Sequence, residues 1–161
     1  MATPQLVMYE EEFRQINGLL QRLTKDANAK IVFLVDKNGQ LIAATGEIQN
    51  IDTTSLASLT AGNIAATGGL AKLIGEKEFS ILFHEGERDN IHISIIGQKV
   101  ILVVIFDQRS SLGLVRLRVK KAGDELNSIF DRLMRKVELE PALESPFAEI
   151  TDEDIDNLFR E

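Results

Sequence analysis

Hydrophobic residues recur along the chain in long helical runs and short β-like runs, and their spacing sets an order of elements. Tyr9, Phe13, Ile16, Leu20 and Leu23 fall at steps of three and four and predict a first helix with one apolar stripe. Glu10, Glu11 and Glu12 stand near its positive end, where carboxylates are favoured, and Lys25 to Asn28 closes it. The run from Lys30 to Asp36 is β-branched and aromatic with polar flanks, which predicts a central strand. Asn38-Gly39 predicts a type I′ hairpin turn, because that turn needs positive φ at both central residues, and Gln40 to Thr45 supplies the returning strand.

Phe79 to Phe83, Ile91 to Ile96 and Val100 to Phe106 are joined by short polar turns and predict an antiparallel meander. Ile91, Ile93 and Ile95 alternate with His92 and Ser94, the pattern of a half-exposed strand. Val100 to Phe106 shows no alternation and reads as buried on both faces. Leu112, Val115, Val119, Ala122, Leu126, Ile129 and Leu133 then form a seam that only a helix maintains. This final helix runs from about Ser111 to about Val137, with Ser110 or Ser111 as its cap and Arg132, Arg135 and Lys136 near its negative end.

Between the two groups of strands, residues 52–75 read as one helix, with Asp52 as N-cap and Gly75 as the left-handed residue that ends it. At ~100° per residue, Leu56, Leu59, Leu70, Leu73 and Ile74 cluster as an expected buried stripe. Thr54, Ser58, Ala61, Ala65, Gly69 and Lys72 lie on the opposite side. An exposed helix face is normally rich in Glu, Lys, Arg and Gln, whereas Gly costs about 1 kcal/mol relative to Ala. Gly62, Gly68 and Gly69 nevertheless lie inside this helix, and Lys72 is the one charge on its outer stripe. Small residues let another backbone come close, so the face reads as a contact surface; a helix buried on both sides, or a loose one, is the alternative reading.

From Glu138 to Pro146 periodicity fades and two prolines appear, which marks a linker between a domain at 1–137 and a tail at 147–161. In the tail, Phe147, Ile150, Ile155, Leu158 and Phe159 offer a short apolar face, and Thr151 with Asp154 resembles a capping box. A helix this short is marginal alone. The tail fits a segment that orders on a partner, a disordered appendage, or one packed back on its own domain.

With 161 residues, 44% hydrophobic and 27% charged, the chain is long enough for one domain with a substantial core. Its net charge of −7 is concentrated in the tail: residues 138–161 hold nine acids and one base, and the first 137 hold sixteen acids and seventeen bases. A near-neutral body lacks the concentrated basic surface that nucleic acid or an anionic membrane requires as a main partner. The longest apolar run, Val100 to Phe106, is far short of a membrane span, and no basic-then-apolar signal opens the chain. Cytoplasmic residence is therefore expected. Cysteine is absent, which excludes disulfides, thiol catalysis and thiolate metal sites.

Neither G-x-x-x-x-G-K-[ST] nor G-x-G-x-x-G occurs, so phosphate cradles of the familiar kinds are missing. Asp36, Asn38 and Gln40, and again Asp152, Asp154 and Asp156, mimic the start of a calcium loop without its glycine or distal glutamate. His84 and His92 fall on neighbouring strands but have no fixed third ligand, so strand-surface roles are expected and no metal. His92 with Ser94 lacks an elbow or an oriented acid. No catalytic constellation, cofactor site or metal site is expected.

The order helix, two strands, helix, three strands, helix, with a small-residue face on the middle helix, resembles the Roadblock/LC7 family. The specific wording supports this in Gln5 to Phe13, Val32 to Leu41, Asn50 to Asn63, Ser111 to Arg118 and Ser145 to Asp152, which look like the family's bacterial gliding-motility regulators. The stretch from Glu138 to Glu144 has no match to the family pattern. The resemblance implies an α+β domain of the Roadblock/LC7 fold, α-β-β-α-β-β-β-α. In that fold a five-stranded antiparallel sheet carries helix two on one face and helices one and three on the other. It also implies a homodimer that binds a Ras-like small GTPase in its GTP-bound state and acts as its GTPase-activating protein, in a cytoplasm where it can be enriched at a cell pole. Ser58, Ala61, Ala65, Gly69 and Lys72 would form the GTPase-binding platform. The tail face at Phe147, Ile150, Ile155, Leu158 and Phe159 would be a separate docking element. A dimeric scaffold with no effect on hydrolysis is the alternative function.

Overall fold

The computed structural model describes residues 10–144, those of 138–144 by backbone alone. The elements are α1 (Glu10–Asp26), β1 (Ile31–Asp36), β2 (Leu41–Gly46), α2 (Thr53–Leu73), β3 (Ile81–Glu85), β4 (Asn90–Ile96), β5 (Val100–Phe106) and α3 (Leu112–Glu144). The strands form one antiparallel sheet in the order β2-β1-β5-β4-β3, so the first and last strands in sequence are neighbours at its centre. This is the expected Roadblock/LC7 arrangement.

The two central strands explain the layers. β5 is buried along its whole length and β1 at five of its six positions, so both faces of the sheet centre need cover. Val32, Leu34, Leu102 and Val104 face α1 and α3, and meet Leu20, Leu23, Val119 and Leu126 in the larger core. Phe33, Val35, Ile101 and Val103 face the other way, into a smaller core beneath α2. The α3 seam holds as spaced, from Val115 to Leu133, and Ser111 caps it by accepting from the Leu114 amide at 3.2 Å.

Several local expectations change. The first hairpin forms, but Asn38 keeps a negative φ and Gly39 alone is left-handed, at 92°, so the turn is not type I′. Asp36 organises it instead, its Oδ1 accepting the amides of Asn38 and Gln40, each at 2.9 Å. The type I′ geometry occurs at Gly97-Gln98, with φ of 59° and 58° and the Lys99 amide bonded to the Ile96 carbonyl at 3.0 Å. β3 begins two residues later than expected, at Ile81. β4 is not half-exposed at its polar positions: His92 and Ser94 pair with Val104 and Leu102 and turn under α3, where both are buried. The final helix passes Val137 and continues to Glu144, so residues 138–144 of the expected linker are helical backbone. Met134 to Glu140 is a run made mostly of good helix formers, and their propensity carries the helix into the turn containing Pro141.

On α1, Phe13 is 41% exposed and Glu12 takes the inward position instead. The reason is ionic: Lys136 of α3 donates to the Glu12 carboxylate at 2.7 Å, tying the start of one helix to the other. That hydrogen bond, against the cost of burial, holds the Glu12 carboxyl below the usual glutamate range.

Lys136→Met should therefore destabilise the fold by about 1–3 kcal/mol, the cost of leaving the buried Glu12 carboxylate without its partner, read as a lower urea midpoint. The contribution is complete above the ordinary glutamate pKa and is lost as pH falls through the lowered folded-state value. Lys136→Met should accordingly flatten the acid side of the stability profile, and a wild-type profile in the variant would contradict this role.

Candidate functional site

The middle helix is held at both ends by the residues the sequence suggests. Asp52 accepts the Ser55 amide at 3.1 Å and its hydroxyl at 2.7 Å, and these bonds hold the Asp52 carboxyl below the usual range. At the other end Gly75 is left-handed, at φ 81°, and the Glu76 amide reaches back to the Ala71 carbonyl at 2.8 Å.

The buried side of α2 differs from the leucine stripe. Ala57, Thr60 and Ala71 are its buried residues, with Leu56 and Ile64 partly buried against the sheet. Leu59, Leu70, Leu73 and Ile74 are instead 60–83% exposed. Short side chains let the helix backbone lie close over β1 and β2, where leucines would hold it off. Relative to the hydrophobic wheel, the helix is rolled by roughly 100°. Its leucines form an exposed flank, and Leu59 edges a groove of about 310 Å³ that runs between α2 and the outer strands, past His84 and Ile91.

The proposed small-residue platform is divided by this roll. Ser58, Ala65, Gly69 and Lys72 are exposed, whereas Ala61 is half-buried. Its cover is the β1–β2 turn: a Cβ built on Gly39 would stand 3.3 Å from the Ser58 Cα and 3.5 Å from the Ala61 Cβ. Part of the stripe is therefore small because a backbone of the same chain rests on it, the alternative that the sequence left open. Around Gly62, Gly68 and Gly69 nothing among the described residues lies within 4 Å of an added Cβ, so no packing among those residues accounts for these three glycines. Sequence reasoning missed both the seated turn and the exposed leucines. Gly39 was the available signal for the first, since a left-handed glycine also lacks the Cβ that would block close approach.

No arginine lies on α2. Arg109, just after β5, is engaged in its own loop: its Nε and Nη2 donate to Asp107 and its Nη2 to Glu47 at 3.0 Å. The guanidinium pulls the Asp107 carboxyl down to about 2. Arg14 pairs with Glu10 at 3.2 Å on α1. Arg116 lies on α3, across the sheet from α2. The two histidines lie on neighbouring strands, as expected, but on opposite sheet faces, because His92 pairs with Phe83 and His84 is the next residue along β3. Among the described residues no three His, Asp or Glu side chains gather as a metal site, and no helix is long and apolar enough to cross a membrane. Phe147, Ile150, Ile155, Leu158 and Phe159 lie outside the described residues.

Comparison with known proteins agrees with this architecture. The Roadblock/LC7 domain profile matches residues 16–106. MglB of Myxococcus xanthus is 71% identical, with a TM-score of 0.75 over 79% of this chain and 96% of that one. The gliding protein MglB of Thermus thermophilus is 32% identical, with a TM-score of 0.75 over 81% and 99%. An MglB with a tetrameric arrangement is 31% identical, with a TM-score of 0.77 over 82% and 99%. Fold, matched profile and close likeness to MglB agree: the chain belongs to the Roadblock/LC7 family.

Proposed function

We propose that this protein is a regulator of gliding motility and cell polarity that works as a homodimer, binding a Ras-like small GTPase of the MglA type in its GTP-bound state and accelerating hydrolysis. The observation that carries this reading is the open face of α2 at Ser58, Ala65, Gly69 and Lys72, which neither the sheet nor the β1–β2 turn covers. Ala61 supplies its half-buried edge. A face without long side chains lets the switch loops of a GTPase approach as backbone. The exposed leucine flank is adjacent on the same helix, and β3 is a sheet edge with Ile81 51% exposed. Pairing of two copies through the flank and that edge would bury apolar surface and satisfy open strand hydrogen bonds. Two platforms would then lie side by side.

A GTPase-activating protein can insert an arginine or press the GTPase's own residues into line. Arg109 is committed to Asp107 and Glu47, and α2 offers no arginine, which supports the second mode. This protein then contributes no catalytic group of its own. The acidic tail, residues 147–161, would act separately as a hook on a second surface of the GTPase, through its apolar residues.

In single-turnover hydrolysis by the cognate GTPase, wild-type chain should raise the rate. Ala65→Arg and Gly69→Arg should remove stimulation and binding with an unchanged circular dichroism spectrum, whereas Arg14→Ala, Arg109→Ala and Arg116→Ala should retain stimulation in the assembled complex. Binding without any stimulation would favour the scaffold reading, and loss of stimulation in one arginine variant with the complex intact would refute the mechanism.

Leu59→Glu with Leu70→Glu should convert the dimer to a folded monomer by analytical ultracentrifugation; a variant that still sediments as a dimer removes the flank from the interface.

Deleting residues 145–161 should leave the dimer intact while slowing association with the GTPase or changing its nucleotide release. Unchanged values for both would make the tail a solvated appendage.

A further inference from the structure

On the sheet face opposite α2, a cleft of about 480 Å³ lies between α3 and the outer strands β3 and β4. Its floor is polar where an apolar floor is expected. His92 is 1% exposed and Ser94 5%, yet neither imidazole nitrogen nor the Ser94 hydroxyl has a hydrogen-bond partner among the described residues. Buried polar groups of this kind are normally satisfied, because leaving one without a partner forfeits the hydration it had in water. His92 and Ser94 are two residues apart on one strand, so both face the same space.

The wall over this floor is cationic. Arg116 and Lys120 stand one helical turn apart on α3 and line the cleft, against the single carboxylate of Asp124. Gly123 brings the helix close at this point: an added Cβ would stand 3.0 Å from the Ile96 Cδ1. Burial, assisted by the Arg116 charge, holds His92 toward its neutral form, in which one nitrogen donates and the other accepts.

We propose that this cleft binds a phosphate-bearing ligand, with Arg116 and Lys120 meeting the phosphate charge and Ser94 and His92 donating to its oxygens. A guanidinium fork, an ammonium, a hydroxyl and an imidazole N–H supply five donors or more, beyond the roughly four acceptor positions of a carboxylate and suited to three phosphate oxygens. The phosphate can belong to a soluble monoester or to a lipid headgroup, and the cleft's isoleucine and valine walls at Ile81, Ile96 and Val119 suit an apolar portion beside it.

The histidines provide a direct test, because His84 lies on the other sheet face and serves as an internal reference. In the full-length protein at constant ionic strength, inorganic phosphate should shift the His92 imidazole resonances saturably and leave His84 in place. Arg116→Gln should weaken the apparent affinity at least about tenfold, the scale of one charge-assisted contact, and Ser94→Ala should weaken it severalfold. A second arm measures co-sedimentation with phosphatidylcholine vesicles with and without phosphatidic acid. Retention that requires both phosphatidic acid and Arg116 assigns the ligand to a headgroup, whereas a His92 response to phosphate without retention assigns it to a soluble compound. The proposal is overturned if neither arm responds, if His84 and His92 shift together, or if binding is indifferent to Arg116→Gln.

Discussion

Everything in this fold follows from two strands that are apolar on both sides. β1 and β5 pair at the centre of the sheet, and together they present inward-facing residues to two layers at once. Such a pair cannot rest with one face in water, so the chain must supply helices above and below it. Two amphipathic helices with long side chains fill one side. The other receives only α2, which lies over β1 and β2 and leaves the outer strands partly open. The asymmetry between a well-filled side and a thinly covered one creates the surfaces available for partners.

The sparse packing of α2 is central to that asymmetry. A helix that packs through alanine and threonine buries little area by itself and leaves its leucines exposed. Its role makes sense only when the neighbouring surfaces are counted: the turn at Gly39 on one side, the open small-residue face above, and the leucine flank beside the groove. Membership of the Roadblock/LC7 family, and the 71% identity with Myxococcus xanthus MglB, place this layout among proteins of the same design.

Element order, sheet strands and the α3 seam were legible in the sequence because each depends on local periodicity. Orientation was not. The wheel assigned the leucines of α2 to the core, since hydrophobicity records that a side chain avoids water but not which molecule covers it. His92 and Ser94 looked solvated for the converse reason: alternation marks two faces, but only the third dimension shows that α3 lies over the polar one. The exchange of turn types between Asn38-Gly39 and Gly97-Gln98 has a similar origin, because Asp36 captures the first turn with its side chain before glycine preference can decide. The pairing of β1 with β5 is a long-range contact that no local pattern encodes.

The seat of Gly39 against Ser58 and Ala61 has a mechanical consequence. Contacts between long side chains absorb displacement by changing rotamers, but a turn resting on a nearly bare helix has few torsions to yield. A load placed on α2 is therefore passed as a rigid push into the β1–β2 turn and along β1 to the middle of the sheet. The helix and the turn are thereby coupled, so that neither shifts without a matching shift in the backbone of the other.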